Sequence, residues 1–318
     1  MRTAIRDGAE LCRRLRLPAP YEARAAQAAR QFPVFAPLGY VAKMRPGDPQ
    51  DPLLRQVLPL GEELADVPGY TADPVADREA ALAPGLLQKY TGRALLLTTG
   101  ACAVHCRYCF RRHFPHQAPP ASADHWDAAL QALRADQGIE EVVLSGGDPL
   151  TLADRRLQDL THRLSAVPHV RRLRVHTRLP VLIPERVTAE LVSWLRGSRL
   201  TPIVVIHANH PAELDEAVGA ALARLVDAGI PVLNQSVLLR GVNDHADTLV
   251  RLCRRLVDLR VLPYYLHQLD RVAGAAHFEV PVDTGRRLVA ELRKALPGYA
   301  VPRYVQEIAG AACKTVLA

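Results

Sequence analysis

The chain has 318 residues, 49% of them hydrophobic and 23% charged, with a net charge of +7. That is enough to bury one barrel-sized core or two smaller ones, and no run approaches the 18 or so uncharged apolar residues of a membrane span. The basic residues are spread along the chain and aromatics are only 5%, which reads as a solvated basic surface rather than a nucleic-acid face.

The N-terminal MRTAIRDGAELCRRLRLP is basic but has no uninterrupted apolar stretch. No secretory signal is expected, and a cytoplasmic, reducing location is. Residues 1–92 read as a helical and irregular arm. Tyr21 to Gln31 is helical in pattern. The Pro-rich segment from Phe32 to Pro59 cannot form one long helix, because proline removes donors and fixes φ.

From Arg93 onward strands and helices alternate. Strands are predicted at ALLLTT (94–99), EVVLSG (141–146), RLRVHT (172–177), PIVVIH (202–207), PVLNQSVLL (231–239) and VLPYYLHQ (261–268). Amphipathic helical stretches lie between them: HWDAALQALRA, ADRRLQDLTHRLSAV, VTAELVSWLRG, LDEAVGAALARLVDAG and ADTLVRLCRRLVDL. Continuous apolar strands separated by such helices predict a parallel sheet. The fold class is α/β. Six βα units are too few for a closed eight-stranded barrel, so an open partial (βα)6 barrel or a doubly wound sheet is expected over residues 93–280, followed by a short C-terminal segment, 281–318. Both architectures place a site at the C-terminal ends of the strands. His176, His207, Asn234, Gln235, His267 and Asp270 collect at that rim, with the cysteines after the first strand.

Three of the six cysteines fall in TGACAVHCRYCFRRHF, where Cys102, Cys106 and Cys109 are spaced C-x3-C-x2-C. In a reducing compartment such a cluster favours metal over disulfide. Thiolate suits zinc or iron–sulfur. A structural zinc site takes four ligands, and only His105 or His113 stands near enough in sequence to complete one. Three thiolates on a [4Fe–4S] cluster leave one iron open. That iron can chelate S-adenosylmethionine through its amino and carboxylate groups. SGGDPL ends the second strand. There Gly146 and Gly147 allow close backbone approach to a ligand, and Asp148 reads either as part of that ligand site or as a helix cap.

These features resemble the radical S-adenosylmethionine superfamily, whose fold is the partial barrel. Within it, Asp51 to Thr315 resembles the lysine 2,3-aminomutase family, and especially the short bacterial branch that makes β-lysine for translation elongation factor P. The matching segments are DPLLRQVLP, GLLQKYTGRALLL, CAVHCRYCFRRHF, LSGGDPL, HTRLPVLIPERV, NQSVLLRGVND, PYYLHQLD, GAAHF and CKT; CFRRHFP and PYYLH look like the short branch in particular.

The resemblance implies a [4Fe–4S] cluster on Cys102, Cys106 and Cys109, and S-adenosylmethionine against Gly146, Gly147, Asp148, His207 and Gln235. It also implies pyridoxal 5′-phosphate bound covalently through Lys314, with Tyr90 and Arg93 approaching it. Only lysine forms such a bond, and the chain has four: Lys43, Lys89, Lys294 and Lys314. The segment IAGAACKTVLA departs from the family's glycine-rich pattern around this lysine. Substrate recognition carries over to Arg111 for the α-carboxylate and to Asp270 and Glu307 for the distal ammonium, with Glu307 replacing the family's aspartate. Long relatives carry zinc-ligating cysteines in a C-terminal extension; this sequence ends at Ala318 and has His245 at the remaining position, so no zinc is expected.

The implied activity is an isomerase reaction, L-lysine to β-lysine, with an electron donor such as flavodoxin or ferredoxin, no membrane or nucleic-acid partner, and the oligomeric state, a homo-oligomer included, left open. Two rivals stand beside it. A glutamate 2,3-aminomutase needs cations where Asp270 and Glu307 stand. A non-catalytic iron–sulfur RNA-binding protein is disfavoured by SGGDPL, by Lys314 and by the lack of interleaved aromatics.

Overall fold

The computed structural model describes residues 4–113 and 126–318. The arm begins with β1 (Ala4–Ile5), α1 (Gly8–Arg14), α2 (Pro20–Ala28), β2 (Ala36–Pro37), α3 (Leu38–Val41) and α4 (Pro52–Arg55). The Pro-rich stretch is irregular, as proline requires. Asp51 caps the single turn of α4 by accepting from the backbone N–H groups of Leu53 and Leu54.

A hairpin then leads into the barrel: β3 (Ala81–Ala83), β4 (Leu86–Tyr90) and β5 (Arg93–Thr99). The βα alternation follows as α5 (Asp127–Ala135), β6 (Glu141–Gly146), α6 (Asp154–Ser165), β7 (Arg172–Thr177), α7 (Leu179–Leu182), α8 (Ala189–Arg196), β8 (Thr201–Ile206), α9 (Glu216–Asp227), β9 (Val232–Val237), α10 (Ala246–Asp258) and β10 (Leu262–His267). The chain closes with α11 (Val282–Ala295), β11 (Arg303–Gln306) and β12 (Thr315–Val316). Phe114 and Pro115 of CFRRHFP, and His125 at the start of the first predicted helix, lie outside the described residues.

All six predicted strands form, and β5 to β10 are parallel in sequence order. The sheet runs on past both ends of the span 93–280. β4 and β3 add antiparallel strands before β5, and β11 (parallel to β10) and β12 (antiparallel) add two after it. Arm and C-terminal segment are thus parts of one ten-stranded sheet. The hairpin strand β4 went unpredicted because Gln88 and Lys89 break its apolar run.

Each barrel strand divides its residues by the period of two. On β7, Leu173 and Val175 are buried under the helices, whereas Arg174 and His176 line the central cavity. The same split puts Leu95, Val143, Ser145, Val205, Gln235, Val237, Tyr265 and His267 on the cavity side. Helix faces such as Leu157, Leu160 and Leu164 of α6 cover the outer side of the sheet.

Candidate active site

The cavity holds about 350 Å³ and is lined by all three clustered cysteines, Lys314, Arg111, Asp270 and Glu307. Its wall also includes Tyr90, Arg93, Gly146, Gly147, Asp148, His207 and Gln235. Every residue singled out in the sequence for cluster, cofactor or substrate therefore lines one cavity, although the positions span more than 220 residues from Tyr90 to Lys314.

The cysteine loop follows β5 and is pinned by the arm. The His105 N–H donates to Phe35 O and the Arg107 N–H to Gln56 O, both at 2.9 Å. Arg107 is fully buried and donates to Glu63 at 2.8 and 2.6 Å; Arg112 donates to the same carboxylate at 2.7 Å. None of the three cysteines is in a disulfide. Burial pushes the Cys102 thiol up and the Cys109 thiol up to about 11, and the neighbouring thiols add to both shifts. Cys102 and Cys109, with Cys106 between them in the chain, form a thiol set that a positively charged metal cluster completes. Arg178 Nη1 donates to Cys106 Sγ at 2.8 Å, so one sulfur of the trio has a preset hydrogen bond. Among the described residues, no three His, Cys, Asp or Glu side chains converge on a single ion. A four-iron cluster asks for a wider array, each thiolate on its own iron.

Gly146 and Gly147 answer to the chain rather than to open space. Gly146 has φ +121°, and a Cβ there would lie 2.4 Å from Thr99 O; at Gly147 it would lie 2.1 Å from Ala101 O. The second strand end is pressed against the cysteine loop. Asp148 behaves as the cap that was one of its two readings. Its Oδ1 accepts from Leu150 N–H and the Thr177 hydroxyl, and its Oδ2 accepts from Arg178 N–H and Leu179 N–H. Burial raises its carboxyl to about 6 against these donors.

His207 lies one residue beyond β8. It stacks on Tyr108 with ring centroids 5.8 Å apart and shares a 3.0 Å hydrogen bond with its hydroxyl. Burial, then Arg178, lowers its pKa to about 3, so the ring is neutral.

The same cavity holds the charged groups of the expected amino-acid site. Arg111 donates from Nε to Asp77 at 2.7 Å and from Nη1 to Ser145 at 3.3 Å. Asp77 also holds Lys89 at 2.7 Å, and the two cations keep its carboxyl below the usual range despite burial. Lys314 forms an ion pair with Glu307 and lies 5.9 Å from the centroid of Tyr90; Lys89 is 3.6 Å from Glu307. The Arg93 guanidinium lies over the same ring, 4.7 Å from the Tyr90 centroid. Asp270 makes no ion pair among the described residues. Burial first, then Glu307, raises its carboxyl to about 7.

Sequence reasoning missed several participants. Asp77 sits in the irregular VADREA stretch, where no periodicity marks it. Glu63 and Glu213 gave no motif, and Gln56 was only an unmarked member of DPLLRQVLP, yet they hold Arg107, Arg112 and Arg178 beneath the cysteine loop. His176 and His267 were visible only as members of the rim. Their Nε2 atoms are buried with no hydrogen-bond partner among the described residues, as is Arg174 Nε, so this wall presents polar groups to the cavity that Lys314 also lines.

Comparison with known proteins decides the family. Residues 96–253 match the Radical SAM superfamily model. The L-lysine 2,3-aminomutase of Escherichia coli (strain K12) is 45% identical over 314 residues, 98% of this chain and 92% of that protein. The L-lysine 2,3-aminomutase of Haemophilus influenzae is 41% identical over all of this chain and 94% of its own length. The enzyme of that name from Clostridium subterminale is 36% identical over 99% of this chain and 76% of its own.

This chain belongs to the lysine 2,3-aminomutase family of radical S-adenosylmethionine enzymes.

Among solved structures, the fold resembles that of Streptococcus suis SuiB, with a TM-score of 0.51 over 69% of this chain and 50% of that one at 13% identity. Membership in the aminomutase family makes the protein an isomerase and implies a [4Fe–4S] cluster and S-adenosylmethionine, for which the cysteine trio is the fitting donor set. No helix among the described residues is long and apolar enough to cross a membrane.

Proposed function

We propose that this aminomutase converts L-lysine to β-lysine, that it does so with pyridoxal 5′-phosphate held on Lys314, and that its product serves the modification of elongation factor P. The observation that carries the reading is the charge layout of one cavity. A guanidinium, Arg111, and an unpaired carboxylate, Asp270, line the same space as the three cysteines and a lysine amine. The names of the E. coli, H. influenzae and C. subterminale relatives agree with lysine as substrate.

Bound in this cavity, cluster and S-adenosylmethionine supply a hydrogen-abstracting radical, and pyridoxal phosphate supplies the conjugated system for nitrogen migration. The chain's own residues bind and orient. Arg111 takes the α-carboxylate. Its Nη2 makes no hydrogen bond among the described residues, while Asp77 and Ser145 hold the other two nitrogens and so aim the guanidinium. Asp270 takes the distal ammonium, which gives both ends of the substrate a fixed partner. Tyr90 provides an aromatic face beside Lys314, and Arg93, drawn over that ring, provides positive charge for a phosphate. Neutral His207, bonded to Tyr108 of the cysteine loop, and Gln235 line the cavity as partners for the adenosyl portion of S-adenosylmethionine.

The layout disfavours glutamate, whose distal carboxylate would meet Asp270. The enzyme works in the cytoplasm with a flavodoxin or ferredoxin as reductant. Anaerobically reconstituted protein given lysine, glutamate and other amino acids should form β-lysine fastest. Faster turnover of glutamate overturns the reading. Borohydride reduction should fix the cofactor to Lys314, located by peptide mapping, and a label on Lys89 or Lys294 refutes that assignment.

A further inference from the structure

The arginines packed around the cysteine loop are used differently. Arg107 and Arg112 donate to Glu63 and to the backbone oxygens of Phe32 and Gly274. Arg178 instead donates from Nη1 to the Cys106 sulfur at 2.8 Å.

Arg178, the first residue after β7, is fixed at both ends. Its backbone N–H donates to Asp148 Oδ2 at 2.7 Å. Its Nη2 donates to Gln56 at 2.6 Å and to Glu213 at 2.8 Å. Glu213 is fully buried, and its other oxygen accepts from the N–H groups of Asn209 and His210 and from Gln56 Nε2. The guanidinium cannot turn away from the sulfur without leaving a buried charge unpaired. Its Nε is buried with no hydrogen-bond partner among the described residues, so the head keeps a further donor at the cavity it lines.

A cluster ligated by Cys106 gives this contact a consequence. Reduction adds one electron, taken from a low-potential one-electron donor, and so places one more negative charge on the cluster and its thiolates. A hydrogen bond to a ligand sulfur and a positive charge beside it both stabilise that added charge, which raises the reduction potential. The Glu213 carboxylate, on another nitrogen of the same guanidinium, offsets part of the effect. Resting on the reading that Cys102, Cys106 and Cys109 hold a [4Fe–4S] cluster, we propose that Arg178 sets the reduction potential of that cluster through the Cys106 sulfur, and that Glu213 is the counter-charge that limits it. Arg178 eases entry of the electron, and Glu213 keeps the reduced cluster able to pass it on. Arg178 is thus a positioning residue that acts through a cluster ligand and not on the substrate.

The test uses the anaerobically reconstituted full chain, free of S-adenosylmethionine, poised at a series of potentials while the reduced cluster is counted by its EPR signal. Arg178→Met should lower the midpoint, with about ten- to a hundred-fold less reduced relative to oxidised cluster at a given potential, or about 60–120 mV for one electron. Glu213→Gln should raise the midpoint, by about tenfold in the same ratio, because the guanidinium charge is no longer offset. Arg178→Lys keeps the charge and should lie nearer to wild type than Arg178→Met. A pair that served packing alone would move the two midpoints in the same direction or leave both in place, and either result overturns the proposal. If Arg178→Met holds no iron because Glu213 is left buried and unpaired, the double variant Arg178→Met, Glu213→Gln removes both charges. Its midpoint should lie below that of wild type, because the bond to the sulfur is gone. Failure of every variant to load iron also overturns the proposal, since the pair would then be a requirement of the fold. A wild-type protein that reconstitutes without a four-iron signal would instead overturn the underlying cluster reading.

Discussion

Asp270 is the most exposed to pH of the cavity's acids, for a reason visible in its neighbours. Its recess is desolvated and faces Glu307 and Asp77, and the positive charges of Lys314 and Lys89 offset these only in part. An aspartate in an unfolded chain titrates near about 3.9, whereas here it titrates at about 7. Its contribution to stability is therefore full below about pH 4 and is lost as the pH rises through about 7. Asp270→Asn should raise Tm over wild type more at pH 8 than at pH 6, checked by thermal unfolding of the ligand-free protein. The same titration governs recognition, since an ammonium needs the ionised form. Lysine affinity should fall about tenfold per pH unit below about pH 7, and this slope should vanish in the Asn variant. The cysteines make a second residue-scale prediction. Cys106→Ala should abolish iron loading by iron and sulfide assay. Cys253→Ala should not, because Cys253 is an ordinary buried thiol of α10 packed in the helix layer.

Among the elements, the junction of β5 and β6 decides whether the cysteine loop is held. Gly147 N–H donates to Thr99 O at 2.7 Å and Asp148 N–H to Ala101 O at 2.8 Å. This approach is closer than any side chain permits. In Gly147→Ala the new methyl would meet backbone, which cannot swing aside. We expect a loss at the upper end of the roughly 1–3 kcal/mol typical of overpacking, seen as a lower Tm together with reduced iron content. A similar constraint seats α11 on β11. A Cβ at Gly285 would lie 2.2 Å from the Tyr304 hydroxyl, which donates to Gln268. The strand that precedes Glu307 is thus positioned by a glycine in a helix, where glycine is otherwise unfavourable.

At the scale of the whole molecule, arm and barrel are joined by buried charge. Glu63, from the arm, is the shared partner of Arg107 and Arg112, all with side chains no more than 1% exposed. Gln56 accepts from Arg178, and Glu213 pairs with it beneath Cys106. Removing one member of such a group leaves a charge buried and uncompensated. Glu63→Ala should cost about 3–5 kcal/mol and empty the cluster site, measured by denaturant unfolding and iron assay. If iron loading were retained at wild-type stability, the arm would be a mere appendage.

How much of this was legible depended on whether the signal was local. The six barrel strands, their helices and the C-x3-C-x2-C trio follow from period and spacing, which a sequence displays directly. The shortage of lysines narrows the amine to four candidates, and the family resemblance points to Lys314 among them. The pairing of those strands into one sheet with β3, β4, β11 and β12 was not legible, because strands of two to five residues carry too little pattern. Nor could the sequence say that Gly147 is pressed against Ala101, that Asp148 spends both oxygens on backbone and Thr177, or that Asp77 aims Arg111. Those are contacts between segments far apart in the chain, and only packing creates them. By itself the sequence determined the chemistry available: three thiols, a lysine, an arginine and two carboxylates. The tertiary structure decided which carboxylate is free, because ion pairing depends on distances that antiparallel register and a shared cavity impose.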